Sequence, residues 1–468
     1  QNSKVIRNLG SLTQFTIADG LVGRTATGIT IYDPAIFETD PQFGVEAALS
    51  AFDAQFTSSV FWEKTDRRQN VAGAGEFFIA PVFQRDFGQF EAALSKQAAT
   101  GTTFTVRNQT IYDKNNNGSR ALASDWFTAF EAEATQPLFR GRGTQVNRVP
   151  VVLARIRTDI SIADFEISVR NMMLDLENSY WDLHFAYRFL ETAKTGRDSA
   201  LVTWKNTYVL LQGGKGTAQQ EAQAREQYFF FRSQMETALR DLFAAETRLR
   251  WLMGLAATDG ELIRPIDRPT LARVDFAWHD VHAESLVRYP ELRRPRWLVK
   301  QRETEMISAR NQLLPQLDLI ATYRWLGIGD ELITADRRGL NFIEEGSTAF
   351  DELTEGRYQE VRLGLQFTPP AIGARREMAG VRNAQLNLAR SHARLEDMEL
   401  NVSHLLTTAI QGLDFNYQVS QTHFNRWVAA EKEVEALKAL YEGGQATVDL
   451  VLDGQRRRAQ AQADFYRS

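Results

Sequence analysis

Few residues in this chain have the type and spacing needed for catalysis or metal binding. The stretch from Gly213 to Thr217 (Gly-Gly-Lys-Gly-Thr) faintly resembles a phosphate-binding loop, but no strand precedes it and its glycines are wrongly spaced. The sequence has no Gly-x-Ser-x-Gly elbow and no His-Glu-x-x-His motif. Among six histidines only His279 and His282 are close together, and cysteine is absent. We therefore expect no enzyme activity, no cofactor and no metal site.

The stretch at 213–217 lies between two long predicted helices. There is no proline between Pro150 and Pro265, and Gly196 is the only glycine from Thr144 to Gln212. Because proline and glycine both disfavour a helix interior, their absence over this length predicts very long helices.

Apolar residues recur every three or four positions and form two adjacent stripes on the first of these helices. One stripe comprises Phe165, Val169, Met172, Leu176, Tyr180, Leu183, Tyr187 and Leu190, and it resumes at Leu201, Trp204, Tyr208 and Leu211. The other comprises Ile160, Ile167, Leu174, Trp181 and Phe185. The returning helix carries Tyr228, Phe231, Met235, Ala238, Leu242, Ala245, Leu249 and Leu252. Two stripes predict a neighbour on each side, as in a cylinder of helices.

Composition excludes some functions and leaves membrane association open. The chain has 468 residues, of which 43% are hydrophobic, and a net charge of −5, which argues against a nucleic-acid partner. No run of about eighteen apolar residues occurs, so no transmembrane helix is expected. A transmembrane β-barrel leaves almost no such signal and stays possible. The stretch Gln1–Leu9 resembles the end of a helix, so we expect residues upstream, with room for a secretion signal.

One order of elements (helix, strands, long helix, turn, helix) occurs twice, which predicts an internal duplication. The first repeat, at about 1–280, has strands near 54–66 and 124–136, an extra hairpin near 90–112, and helices near 150–211 and 217–255. The second, at about 281–468, has strands near 316–326 and 357–368 and helices near 374–441 and 447–468. Each of the four strands outside the hairpin alternates apolar and polar residues.

At these residues the chain resembles the TolC family of bacterial outer-membrane factors, over nearly its whole length. Four segments carry the resemblance: Thr135-Gln136-Pro137-Leu138, the paired Gly-Gly-x-x-Thr turns at 213–217 and 443–447, Asn311–Leu317, and the last helix from Tyr441 to Tyr466. The resemblance implies an α+β membrane protein: a trimeric outer-membrane β-barrel continued by a long periplasmic α-helical barrel. With four strands in each protomer, twelve would close the barrel.

The family resemblance implies a passive exit channel of a tripartite efflux pump or a type I secretion system. The implied partners are two further copies in a homotrimer, outer-membrane lipid, a periplasmic adaptor and an inner-membrane transporter. The implied location is the outer membrane, extending into the periplasm. The alternative is a soluble coiled-coil scaffold or adaptor with small sheet modules. Aromatic residues at strand ends, such as Trp62, Trp126 and Trp325, favour the membrane barrel.

The resemblance also implies where the entrance and the docking surface lie. Acidic residues often follow the turns at the family's inner entrance, where this chain has Asp449 and Asp453 in the second repeat and Gln220 in the first. Lys215 is a further candidate for the entrance, with a solvated surface lysine as the simpler interpretation. The alternative for Asp449 and Asp453 is that they are ordinary acids of a first helical turn. The expected adaptor contacts are Gly213, Gly214, Thr217, Gly443, Gly444 and Thr447. The extra hairpin either decorates the extracellular rim, which we favour, or adds strands to the barrel.

Overall fold

In the computed structural model, which describes residues 30–70, 80–118, 120–334, 348–370 and 373–468, six strands form one antiparallel sheet. They are β1 (Gln55–Arg68), β2 (Val82–Gln97), β3 (Thr103–Asn115), β4 (Ser124–Pro137), β5 (Gln316–Gly329) and β6 (Tyr358–Thr368). Each strand pairs with its neighbours in sequence, and β1 and β6 form the two edges of this sheet. The predicted helix end at Gln1–Leu9 lies outside the described residues.

The extra hairpin is part of the sheet, so the prediction that it decorates a rim is wrong. Its first strand pairs with β1 and its second with β4, in continuous register from Gln97 opposite Thr103 to Arg85 opposite Asn115. The chain therefore supplies six strands rather than four.

The strand register places apolar residues on one face of the sheet and polar residues on the other. The apolar face includes Phe56, Val60, Trp62, Phe90, Leu94, Phe104, Val106, Trp126, Phe130, Leu319, Tyr323, Trp325, Val361, Leu363, Leu365 and Phe367. The polar face includes Glu91, Arg107, Glu131, Glu133, Asp318, Thr322, Arg324, Glu360, Arg362 and Gln366. The predicted two-residue alternation holds along most of the sheet, although one row of the polar face is largely apolar and comprises Phe61, Gln89, Ile111, Phe127 and Ile328.

Ten α-helices are described. They are α1 (Asp33–Glu38), α2 (Val45–Leu49), α3 (Thr144–Asn147), α4 (Val149–Gln212), α5 (Ala218–Met253), α6 (Trp278–Arg288), α7 (Pro290–Gln312), α8 (Ala349–Glu355), α9 (Arg375–Glu442) and α10 (Val448–Arg467). At 64 and 68 residues, α4 and α9 far exceed the usual helix length of about twelve. Within the described ranges, no helix is both long and apolar enough to cross a membrane.

The chain divides into two compact units. One contains the sheet and comprises Ala35–Asp159 and Arg296–Ala393; the other is helical and includes Ile160–Pro295 and Arg394–Ser468. In the sheet unit, α8 lies against the end of β5, where Gly327 and Gly329 leave room for it. A Cβ atom on Gly327 would stand 2.1 Å from the carbonyl oxygen of Ala349, so only glycine allows this approach. The connection between β5 and β6 therefore contains a short packed helix.

The core of the helical unit lies between α4 and α5. Its buried members are Leu183, Ala186, Leu190 and Ala193 on α4 and Ala238, Leu242 and Leu249 on α5. Gly196 adjoins this core because the ring of Phe231 occupies the space beside it, 2.7 Å from where a Cβ atom would stand. The isolated glycine of the long helix thus permits close packing.

The predicted first stripe on α4 is correct near Leu183 but wrong toward the helix end. The buried residues there are Ala200, Thr203 and Thr207, each one position before a predicted apolar residue. Tyr208 is instead 48% exposed. Small side chains permit close helix packing, and a threonine hydroxyl can bond its own backbone, as Thr207 does to the carbonyl of Thr203 at 3.1 Å.

The segment after α5 is held against the helices by polar contacts. The buried Arg250 guanidinium pairs with Glu246 at 2.9 Å and with Asp259 at 2.7 Å. Hydrogen bonding to Arg250 is the main reason that the pKa of Asp259 is lowered. The Tyr180 hydroxyl donates to Asp267 at 2.7 Å and attaches this segment to α4. The segment has no regular secondary structure.

Candidate functional site

The two predicted turns between long helices have the same backbone hydrogen bonds. In the first, the amide of Gly214 donates to Leu211 and that of Lys215 to Leu210. In the second, Gly444 donates to Tyr441 and Gln445 to Leu440, at the same spacings. Paired bonds of this kind close a helix end in a Schellman motif.

Backbone conformation explains one glycine in each turn. Gly214 has φ of +67° and Gly444 has φ of +72°, in the left-handed region that disfavours other residues. A Cβ atom at either position would meet nothing within 4 Å, so space is not the constraint. All six predicted adaptor contacts, at 213, 214, 217, 443, 444 and 447, are exposed.

The first turn is followed by a complete capping box. The amide of Gln220 donates to the Thr217 hydroxyl at 3.3 Å, and the Gln220 side chain accepts from the Thr217 amide at 3.1 Å. Gln220, a candidate for the entrance, therefore uses its side chain to begin α5. Thr447 occupies the matching position before α10 but makes no side-chain cap.

The two candidate acids of α10 differ in their surroundings. Asp453 pairs with Arg457 at 2.7 Å on the same helix, and Arg457 also bonds Glu433 of α9 at 2.6 Å. Asp449 is exposed in the first turn and, in the part of the chain described, belongs to no ion pair. Lys215 is also exposed at its turn. Asp449 is thus the stronger candidate for an unneutralised charge.

Two buried glutamines, which the sequence analysis missed, connect the helical hairpins close to the turns. Gln227 of α5 donates to the carbonyl of Leu452 at 3.0 Å, and Gln455 of α10 donates to the Thr203 hydroxyl at 3.0 Å. Each glutamine is 1% exposed. In the sequence, such a residue can be recognised as a polar side chain that interrupts an apolar stripe at intervals of three and four. Gln227 interrupts the stripe in this way between Ala224 and Phe231.

The histidine pair has a structural role rather than a ligand geometry. His282 stacks on Trp278 with ring centroids 4.5 Å apart, and its Nε2 lies 2.7 Å from the hydroxyl of Ser403. The stacking lies within α6, and the contact with Ser403 joins α6 to α9. Among the described residues, no group of three His, Cys, Asp or Glu side chains could hold a metal ion.

The exposure of the sheet is reversed relative to a sheet that packs its apolar face into a core. On central strands Leu94 is 48% and Phe104 53% exposed, although both belong to the apolar face. On the polar face Glu131 is 6% and Thr322 8% exposed. Antiparallel sheets in water normally bury the apolar face and solvate the polar one.

The fold is similar to those of solved outer-membrane channels. The Campylobacter jejuni CmeC outer membrane channel aligns with 93% of this chain and 78% of its own, at 13% identity and a TM-score of 0.60. The outer membrane protein VceC of Vibrio cholerae aligns with 93% of this chain and 88% of its own, at 13% identity and a TM-score of 0.60. The open-state MtrE outer membrane channel of Neisseria gonorrhoeae aligns with 93% of this chain and 84% of its own, at 13% identity and a TM-score of 0.54.

No protein-family model matches the sequence, and no curated protein matches it significantly. The similarity therefore resides in the fold, at an identity too low to transfer individual residue roles. The resemblance carried by the sequence motifs is confirmed at this level: the chain has the fold of the TolC-family outer-membrane channels.

Proposed function

We propose that this chain is one subunit of an outer-membrane exit channel. The observation that carries the proposal is a sheet whose apolar face is exposed while polar residues of its central strands, such as Glu131 and Thr322, are buried. Lipid hydrocarbon suits the first and a water-filled lumen the second. The similar folds belong to proteins described as outer membrane channels, which supports this assignment over an enzyme.

The proposed channel is a homotrimer whose sheets close into one barrel. The edges at β1 and β6 carry backbone groups that lipid cannot satisfy, so they must pair with other strands. Three copies of a six-stranded sheet would give eighteen strands, an even number within the range of bacterial barrels. This replaces the twelve expected from four strands per copy.

We further propose that the long helices of three copies form a tunnel through the periplasm. Large apolar residues remain exposed on these helices, including Leu174 and Val209 on α4 and Leu386 and Phe415 on α9. Such residues suit packing against helices of neighbouring copies. The matching hydrogen bonds of the two turns support an origin by internal duplication.

The proposed activity is passive export in a tripartite efflux pump or a type I secretion system. A periplasmic adaptor, linked to an inner-membrane transporter, would dock at the exposed turns at 213–217 and 443–447. Asp449 would then contribute negative charge near the entrance, with Asp453 partly neutralised by Arg457.

The competing proposal, a soluble scaffold, predicts a different response to extraction. The membranes of expressing cells are separated by density and washed with high salt. An exit channel should sediment with the outer membrane and leave it only in detergent, because its apolar face contacts hydrocarbon. Release by salt alone would support the scaffold and rule out the channel.

A further inference from the structure

A row of alternating charges crosses the polar face of the sheet. We define the charge ladder as Glu91, Arg107, Glu131, Arg324 and Glu360, one residue from each of β2 to β6. Arg107 lies opposite Glu131, Glu131 opposite Arg324, and Arg324 opposite Glu360 in the strand register.

Ion pairs connect every successive member of the charge ladder. Arg107 lies 3.6 Å from Glu91 and 3.6 Å from Glu131. Arg324 donates through Nε to Glu131 and lies 3.7 Å from Glu360. Glu131 thus accepts two guanidinium groups and is the best-buried member, with 7% of its side chain exposed.

The members of the ladder other than Glu131 are partly exposed to solvent. The side chains of Arg107 and Arg324 are 35% and 45% exposed, and that of Glu360 is 58% exposed. Exposed pairs of this kind stabilise a fold little. The electric field of these charges extends about 8–10 Å at moderate salt, so it can reach ions in a water-filled lumen beside the sheet.

We propose that the charge ladder determines the ion preference of the channel where the sheet surrounds its lumen. This inference rests on the proposed function, because only a closed channel brings the ladders of several copies around one pathway. Each copy contributes three carboxylates and two guanidiniums, a net excess of one negative charge. The ladder therefore favours cations modestly, and it is separate from the candidate acids at the helix turns.

Two neutralising substitutions should shift ion preference in opposite directions. Glu131→Gln leaves Arg107 and Arg324 without their shared carboxylate, and so favours anions. Arg324→Gln adds to the negative excess and favours cations. We expect the cation-to-anion permeability ratio to fall by about twofold or more in the first and to rise similarly in the second, since nearby unit charges act with about thermal energy in water.

The experiment measures the reversal potential of purified channels in a planar bilayer under a potassium chloride gradient. Glu360→Gln provides a variant at an exposed edge position, which should shift preference in the same direction as Glu131→Gln without removing a buried group. The matched control is Glu284→Gln, which neutralises an exposed acid on α6, outside the ladder. It should leave the permeability ratio unchanged. Raising the salt to about 1 M should reduce all the differences, because the screening length falls to about 3 Å.

The outcomes separate this inference from the function on which it rests. If the folded parent protein gives no discrete conductance, the proposed channel is wrong. If it conducts but Glu360→Gln and Arg324→Gln both keep the parent's ratio, the ladder does not determine ion preference. A shift in Glu284→Gln equal to that in Glu360→Gln would also overturn the inference, because the effect would then not be specific to the ladder.

Discussion

At the residue scale, backbone conformation explains why Gly214 and Gly444 are glycines in the two helix turns. Gly214→Ala and Gly444→Ala place a side chain at positive φ and should each destabilise the helical hairpin by about 1–2 kcal/mol. Gly213→Ala is the matched control, because Gly213 does not have positive φ. Thermal unfolding in detergent measures the effect, and equal losses in Gly213→Ala and Gly214→Ala would contradict the explanation.

The two acids of α10 should contribute unequally to the entrance. Asp449→Asn removes an exposed charge without an ion-pair partner among the described residues, whereas Asp453→Asn removes one already paired with Arg457. Single-channel recordings with added divalent cations should therefore show weaker block in Asp449→Asn and a smaller change in Asp453→Asn. Block unchanged in both variants would identify these acids as ordinary helix-start residues.

His184 should make the helical unit less stable at mildly acidic pH. Burial, and then the nearby charge of Arg188, lower the pKa of His184 below its ordinary value of 6.5. The unfolded chain then binds the proton more readily, so stability is complete above about 6.5 and is lost as pH falls toward the lowered pKa. The unfolding temperature measured across this range should fall less in His184→Gln. Parallel curves for the two proteins would refute this contribution.

The limit of sequence reasoning is visible at single residues of α4. Periodicity locates the buried stripe near Leu183, but close packing near the turn selects Ala200, Thr203 and Thr207 instead of the larger residues beside them. Hydropathy cannot anticipate this choice, because the interhelical distance depends on the partner helix. The same applies to Gln455, which is buried because Thr203 accepts its hydrogen bond.

At the element scale, the two faces of β6 should tolerate charge differently. Leu363 lies opposite Ala321 on the apolar face, and Gln366 lies opposite Asp318 on the polar face. In the proposed barrel, Leu363→Arg should cost about 2–4 kcal/mol near the membrane midplane, whereas Gln366→Arg faces water and a carboxylate. The amount of assembled oligomer recovered in detergent measures both effects. Equal loss would mean that the faces are wrongly assigned.

The elements themselves could be predicted closely from the sequence, but their pairing could not. The predicted helix at about 150–211 is α4 at Val149–Gln212, and the predicted strand at about 357–368 is β6 at Tyr358–Thr368. The hairpin strands β2 and β3 alternate in the same way whether they decorate a rim or join the sheet. Alternation specifies a face, and only the register with β1 and β4 specifies the neighbours.

Irregular segments were the least predictable. The stretch after α5 has no periodic pattern, yet Arg250, Tyr180 and Asp267 fix it along the helices. Such contacts join residues far apart in sequence, as the separation of 87 positions between Tyr180 and Asp267 shows. Local propensity carries no information about them.

At the scale of the whole molecule, one chain has more apolar surface and more open sheet edge than it can satisfy. In the proposed channel, lipid would cover the apolar sheet face, and strands from other copies would pair with the edges at β1 and β6. The outward apolar residues of α4 and α9 call for neighbouring helices. The proposed trimer in the outer membrane would meet all three requirements with one arrangement.

The number of chains in the membrane-extracted particle tests the proposed shared barrel most directly. The full chain is extracted from outer membranes in mild detergent, and its mass is measured by native mass spectrometry. We expect one species at three times the 53.1 kDa mass of the chain, because the sheet edges must close on other copies. A stable, folded particle containing a single chain would contradict the shared barrel and, with it, the proposed channel.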